Sequence, residues 1–185
     1  ILNAMGLGII VLSPLAIFET RERVRFAAIS GAVIACAAPV VSSIDWTWLN
    51  PHLRAWFVPD HNFFSFFPWA AFIAFGLAGG SVLRLVEDTD MHRVMQWASL
   101  AGIALLFTAQ YFSNLPYSVY SNSDFWLNSP GLIFMKVGII LLLASFAFLW
   151  TRHMNPGGWS FVRQLGTTSL LVYWVHTEMV YGRWF

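Results

Sequence analysis

Residues 131–150 read GLIFMKVGIILLLASFAFLW, twenty residues in which Lys136 is the one charge. An α-helix rises about 1.5 Å per residue and the hydrocarbon core of a bilayer is about 30 Å thick, so this run has the dimensions of one membrane crossing. Similar apolar blocks occupy residues 1–18, 26–43, 63–85, 94–112 and 165–182, and the charges are confined to the segments between them. Over 185 residues the chain is 58% apolar and 10% charged, against roughly 25% charged in a soluble domain. This pattern predicts an all-α fold: a polytopic transmembrane helical bundle of about six spans, forming a single transmembrane domain across residues 1–185.

Basic residues orient the spans, because short loops rich in Lys and Arg stay on the cytoplasmic side. The segments after the first, third and fifth blocks hold Arg21, Arg23, Arg25, Arg84, Arg93, Arg152 and Arg163, seven in all, whereas the opposite segments hold only Arg54 and Arg183. In a bacterial inner membrane this bias puts residue 1 and the loops 44–62 and 113–130 on the periplasmic side. Nine of the ten Trp residues fall near a block end, where an indole ring is half in lipid and its N–H stays wet; Trp174 alone lies deep. The two outer loops, rich in aromatic, Asn, Ser and Pro residues, are expected to fold over the outer surface. The first block has no starting methionine, charged flank or small-residue cleavage site, and the chain closes on YGRWF. Both ends therefore read as those of the later part of a longer chain.

Ionisable groups inside apolar blocks are costly and tend to face a cavity or a partner. Lys136, His176 and Glu178 are of this kind, and all three fall in the outer half of the bilayer, where Asn3 joins them. Lys136 either snorkels toward the outer headgroups or pairs with Glu178 or an anionic ligand. His176, flanked by Tyr173, is either a hydrogen-bonded core histidine or a proton-transfer group. On an ideal helix Glu178 stands about 200° round from His176, so the two cannot line one narrow cleft. Asp60 and His61 sit just outside the third block as wet loop residues, with His61 close enough to the outer surface to meet a substrate. Gly76, Gly79 and Gly80 form a small-xxx-small pattern that predicts close helix packing.

Several chemistries lack their required spacing: there is no Gly-x-Ser-x-Gly elbow, no His-Glu-x-x-His helix, no Cys-x-x-Cys pair and no phosphate-cradling glycine loop. Neither a metal nor haem is expected, since His176 is the one histidine deep in a block, and the lone Cys36 excludes an intrachain disulfide. A net charge of +1 without a basic stripe gives no reason to expect nucleic acid.

Four stretches carry a family resemblance: ILNAMG at 1–6; FFPWAAF at 66–72 running into the glycines at 76–80; Ser129-Pro130 followed by Lys136; and LGTTSLLVYWVH at 165–176 continuing through Glu178 to YGR at 181–183. In order and spacing the chain resembles bacterial membrane acyltransferases related to heparan-alpha-glucosaminide N-acetyltransferase. The resemblance implies an enzyme moving an acetyl group from acetyl-CoA to a sugar or glycoconjugate beyond the membrane. That family's proposed catalytic histidine belongs to an early luminal segment that would precede Ile1. By carry-over, Asn3, Lys136, His176 and Glu178 are candidate pocket residues, with His176 and Glu178 the catalytic candidates; Asn3 and Lys136, with Tyr173 and His61 added from their positions, are the substrate-binding ones. Two further readings stand beside it: a non-catalytic accessory subunit packed against other membrane subunits, and, last, a small-anion transporter, for which the expected repeated halves are not visible.

Overall fold

A computed structural model of the chain describes residues 2–60, 64–115, 120, 124–154, 164, 166–169, 173 and 175, with only the backbone of 2–4 and 154. Among the described residues six α-helices have both ends defined: α1 Leu2–Leu12, α2 Thr20–Ser43, α3 Pro51–Phe57, α4 Phe66–Leu85, α5 Met91–Ser113 and α6 Pro130–Leu149. No strand occurs among the described residues. The chain divides into two compact units, Ile1–Leu142 and Leu143–Phe185.

Within the first unit the principal contact is α2 against α4. Most of the residues these helices bury are small: Ala27, Gly31, Ala35 and Ala38 on α2, and Ala70, Ala71, Ala74 and Ala78 on α4, with Ala70 close to Gly8 of α1. Lipid tails are as apolar as leucine, so helices in a bilayer associate through close packing, and small residues at i and i+4 permit it. At Gly31 a Cβ would stand 2.9 Å from the Phe75 ring. Around this seam Leu12, Ile34, Phe66 and Ile133 complete a core that Leu7, Phe57, Phe75 and Val137 flank. Pro39 lies inside α2 and is buried. A proline there removes a backbone donor, and the Ser42 and Ser43 hydroxyls nearby donate back to the Ala38 and Val40 carbonyls at 3.0 and 2.7 Å.

The segment between α2 and α4 does fold back on the bundle. Trp46 Nε1 donates to the Val41 carbonyl at 2.8 Å, and its ring stacks on Trp48 at 5.9 Å. Asn50 caps α3 by accepting from the His52 N–H. Helix α3 touches α1 and α4, with Phe57 and Phe66 rings 6.4 Å apart. In the segment before α6, the Tyr120 hydroxyl donates to the Cys36 carbonyl on α2 at 3.1 Å. Burial, and after it Cys36, pushes the Tyr120 pKa above its ordinary value, which keeps that hydroxyl a donor.

The expectation of six spans needs correction. Among the described residues three helices are long and apolar enough to cross a membrane, by length and composition: Thr20–Ser43, Phe66–Leu85 and Pro130–His153. The first block falls short because its α-helix stops at Leu12, where Ser13 and Pro14 turn the chain into a 3₁₀ segment, Ser13–Ile17. Helix α5 has the length, at 23 residues, but Gln96, Ser99, Thr108 and Gln110 dilute its hydropathy. Most of the block 165–182 lies outside the described residues. The glycines at 76, 79 and 80 are also corrected: nothing approaches within 4 Å of a Cβ placed on any of them. The alanines on the same helix make the close contact instead.

In the second unit the end of α6 runs into a single π-helical segment, Trp150–Met154. The Thr151 hydroxyl donates to the Ala147 and Phe148 carbonyls at 2.9 and 3.1 Å, and the Arg152 guanidinium lies 5.8 Å from the Phe148 ring centre.

Candidate functional site

Helix α6 begins with a sequence suited to its place. Ser129 accepts from the Gly131 N–H at 3.2 Å and Pro130 follows at the first helical position, where its missing N–H costs nothing. The turn before it is closed by Asn128 Oδ1 accepting from the Asp124 N–H and by Asp124 Oδ1 accepting from the Trp126 N–H, both at 2.9 Å. From this start Lys136 is reached after six residues, about 9 Å along the axis.

Helix α4 carries the cis Phe67-Pro68 peptide at its start, and Trp69 follows it in the first turn. The two helices bring these residues together: Lys136 Nζ lies 4.5 Å from the centre of the Trp69 ring. Trp69, Phe72, Lys136, Ile139 and Ile140 line an open groove of about 360 Å³. The Lys136 ammonium is its one charged group, and every other lining side chain is hydrophobic.

Magnitudes show what this arrangement lacks. A lysine at the centre of a membrane-spanning helix costs about 2.5–3.5 kcal/mol on insertion scales, and a cation–π contact returns about 0.5–2 kcal/mol, which leaves a deficit of roughly 0.5–3 kcal/mol there and less at the depth of Lys136. No carboxylate of the described residues forms an ion pair with Lys136. An anion seated in the groove would meet both the charge and the deficit.

Of the residues singled out from sequence, Lys136 is thus placed in a groove. Asn3 lies on α1, whose backbone alone is described there. Tyr173 is helical and 54% exposed, in the second unit. His61, His176 and Glu178 lie outside the described residues. Trp69, Phe72, Ile139 and Ile140 were not foreseen as a site. Their signal was the aromatic string at 66–72 and the apolar turn following Lys136, both of which read as ordinary span residues. Among the described residues, no three His, Cys, Asp or Glu side chains gather as a metal ion would require. Comparison with protein-family models, curated proteins and solved structures finds no match to this chain.

Proposed function

We propose that this chain is the membrane-embedded part of an acyltransferase that carries an acetyl group from acetyl-CoA to a sugar on the periplasmic side of a bacterial inner membrane. The observation that carries the reading is the groove under Lys136 and Trp69, near the starts of two apolar helices entered from the basic-poor loops. The resembling strings at 66–72 and 129–136 supply residues to it or cap the helix that does. His176 serves as the general base or is itself transiently acylated, and Glu178, on the other face of an ideal helix, is a separate candidate for the chemistry.

In this reading α5 is a further crossing. Its 23 residues extend about 34 Å, enough for the hydrocarbon layer, and Gly102 near its middle packs on Gly138 near the middle of α6. The test is transfer of labelled acetyl from acetyl-CoA to amino-sugar acceptors by the protein in proteoliposomes, with His176→Ala and Glu178→Ala compared with wild type. Equal rates in all three would remove these residues from the chemistry.

An outward stripe on α5, with Trp97 at 67%, Leu100 at 57%, Phe107 at 73% and Tyr111 at 65% exposure, favours a second reading as an accessory subunit. Co-purification of partner subunits lost on Phe107→Ser, from a preparation with no transfer activity, would select it.

A further inference from the structure

We propose that the groove between α4 and α6 holds an anionic phospholipid, its phosphate against Lys136 Nζ and one acyl chain along Phe72, Ile139 and Ile140. The groove is the one on which the acetyl-transfer reading rests, but lipid binding and acetyl transfer are measured separately, so either can fail without the other.

The order of the lining residues matches the polarity of a lipid. Lys136 and Trp69 come first along their helices, Lys136 about 9 Å in from the start of α6 and Trp69 in the first turn of α4. Phe72 follows one turn later on α4, and Ile139 and Ile140 one turn later on α6. The cation therefore lies nearer the headgroup level and the apolar floor runs deeper, as a phosphate and its acyl chain do. A flexible lysine stem lets the ammonium rise to meet a phosphate oxygen while its methylenes stay in the groove. Trp69 offers the ring edge and indole N–H suited to the headgroup boundary. A free inorganic anion would use the charge but leave the apolar floor uncovered, and a zwitterionic lipid would bring its own cation to the same place.

The test uses the purified protein in a neutral maltoside detergent, with lipid adducts counted by native mass spectrometry as dioleoyl phosphatidylglycerol or dioleoyl phosphatidylcholine is added. Wild type is expected to retain phosphatidylglycerol in preference to phosphatidylcholine. Lys136→Gln is expected to weaken phosphatidylglycerol binding about tenfold, the worth of one charge-assisted contact, and Lys136→Arg to keep it. Ile140→Trp, which fills the floor and leaves the charge, is expected to weaken it as well and answers the question if Lys136→Gln does not fold. Phosphatidylglycerol adducts undiminished in Lys136→Gln or in Ile140→Trp overturn the proposal. So does equal retention of the two lipids by wild type, or displacement of phosphatidylglycerol by equimolar inorganic phosphate.

Discussion

Gly102 on α5 and Gly138 on α6 approach so closely that a Cβ added to either would stand 2.8 Å from the other's carbonyl oxygen. Backbone atoms cannot swing aside as a side chain does, so Gly102→Ala and Gly138→Ala must push the helices apart. Overpacking of this kind costs about 1–3 kcal/mol. Gly80→Ala, with nothing within 4 Å, is expected to be neutral or to stabilise by a few tenths up to about 1 kcal/mol through helix propensity. Thermal unfolding in detergent followed by circular dichroism separates the cases. A midpoint for Gly138→Ala equal to that of Gly80→Ala would show that the contact is not made.

In the reading proposed above α5 crosses the membrane beside α6, which puts residues 88 and 124 on opposite faces. Single cysteines at Asp88 and Asp124, on a Cys36→Ser background, are expected to react with an impermeant maleimide from the cytoplasmic and periplasmic sides respectively. Labelling of both from one side would make α5 a surface helix.

Ser129 closes the first turn of α6 and so helps hold Lys136 at its depth. Ser129→Ala is expected to lower stability by about 1 kcal/mol, as loss of an N-cap does elsewhere. Ser129→Asp, which can accept from the same N–H, should restore most of it. Chemical unfolding of the three proteins in mixed micelles reads the difference.

Asp45 accepts from the Thr47 N–H at 3.0 Å. That backbone hydrogen bond, followed by one from the Thr47 side chain, holds the Asp45 pKa below its ordinary value of 3.8. A carboxylate with a depressed pKa contributes order that is complete above its unfolded value and is lost as pH falls through its folded one. The Trp46 and Trp48 stack that this turn supports should therefore persist to below pH 3.8 and then loosen. Near-ultraviolet circular dichroism on acidification reports it, and Asp45→Asn should show a weaker signal with no step in that range.

The sequence made the helices legible because membrane spans advertise themselves by length and apolarity. The blocks at 63–85, 94–112 and 131–150 agree with α4, α5 and α6 to within three residues at each end. The start of α2 was less legible: it runs back to Thr20, since Arg21, Glu22, Arg23 and Arg25 are good helix formers even though they leave the apolar block. The first block was read as a span because composition does not register that Ser13-Pro14 ends an α-helix early. Packing was the least visible level. Gly76, Gly79 and Gly80 form a recognisable motif, yet are exposed, while the buried positions hold alanines of the kind that five of the six apolar runs contain. At the groove, Lys136 was conspicuous because charge is rare in a span, whereas its neighbour Trp69 was one interfacial tryptophan among several.

The alanine seam between α2 and α4 has a consequence for how the bundle comes together. Alanine and glycine have no side-chain rotamers to freeze, so these positions of the two helices are buried with almost no loss of side-chain entropy. The larger entropic expense of the first unit's core therefore falls on the bulky side chains beside the alanines, Ile34, Phe66 and Phe75 among them.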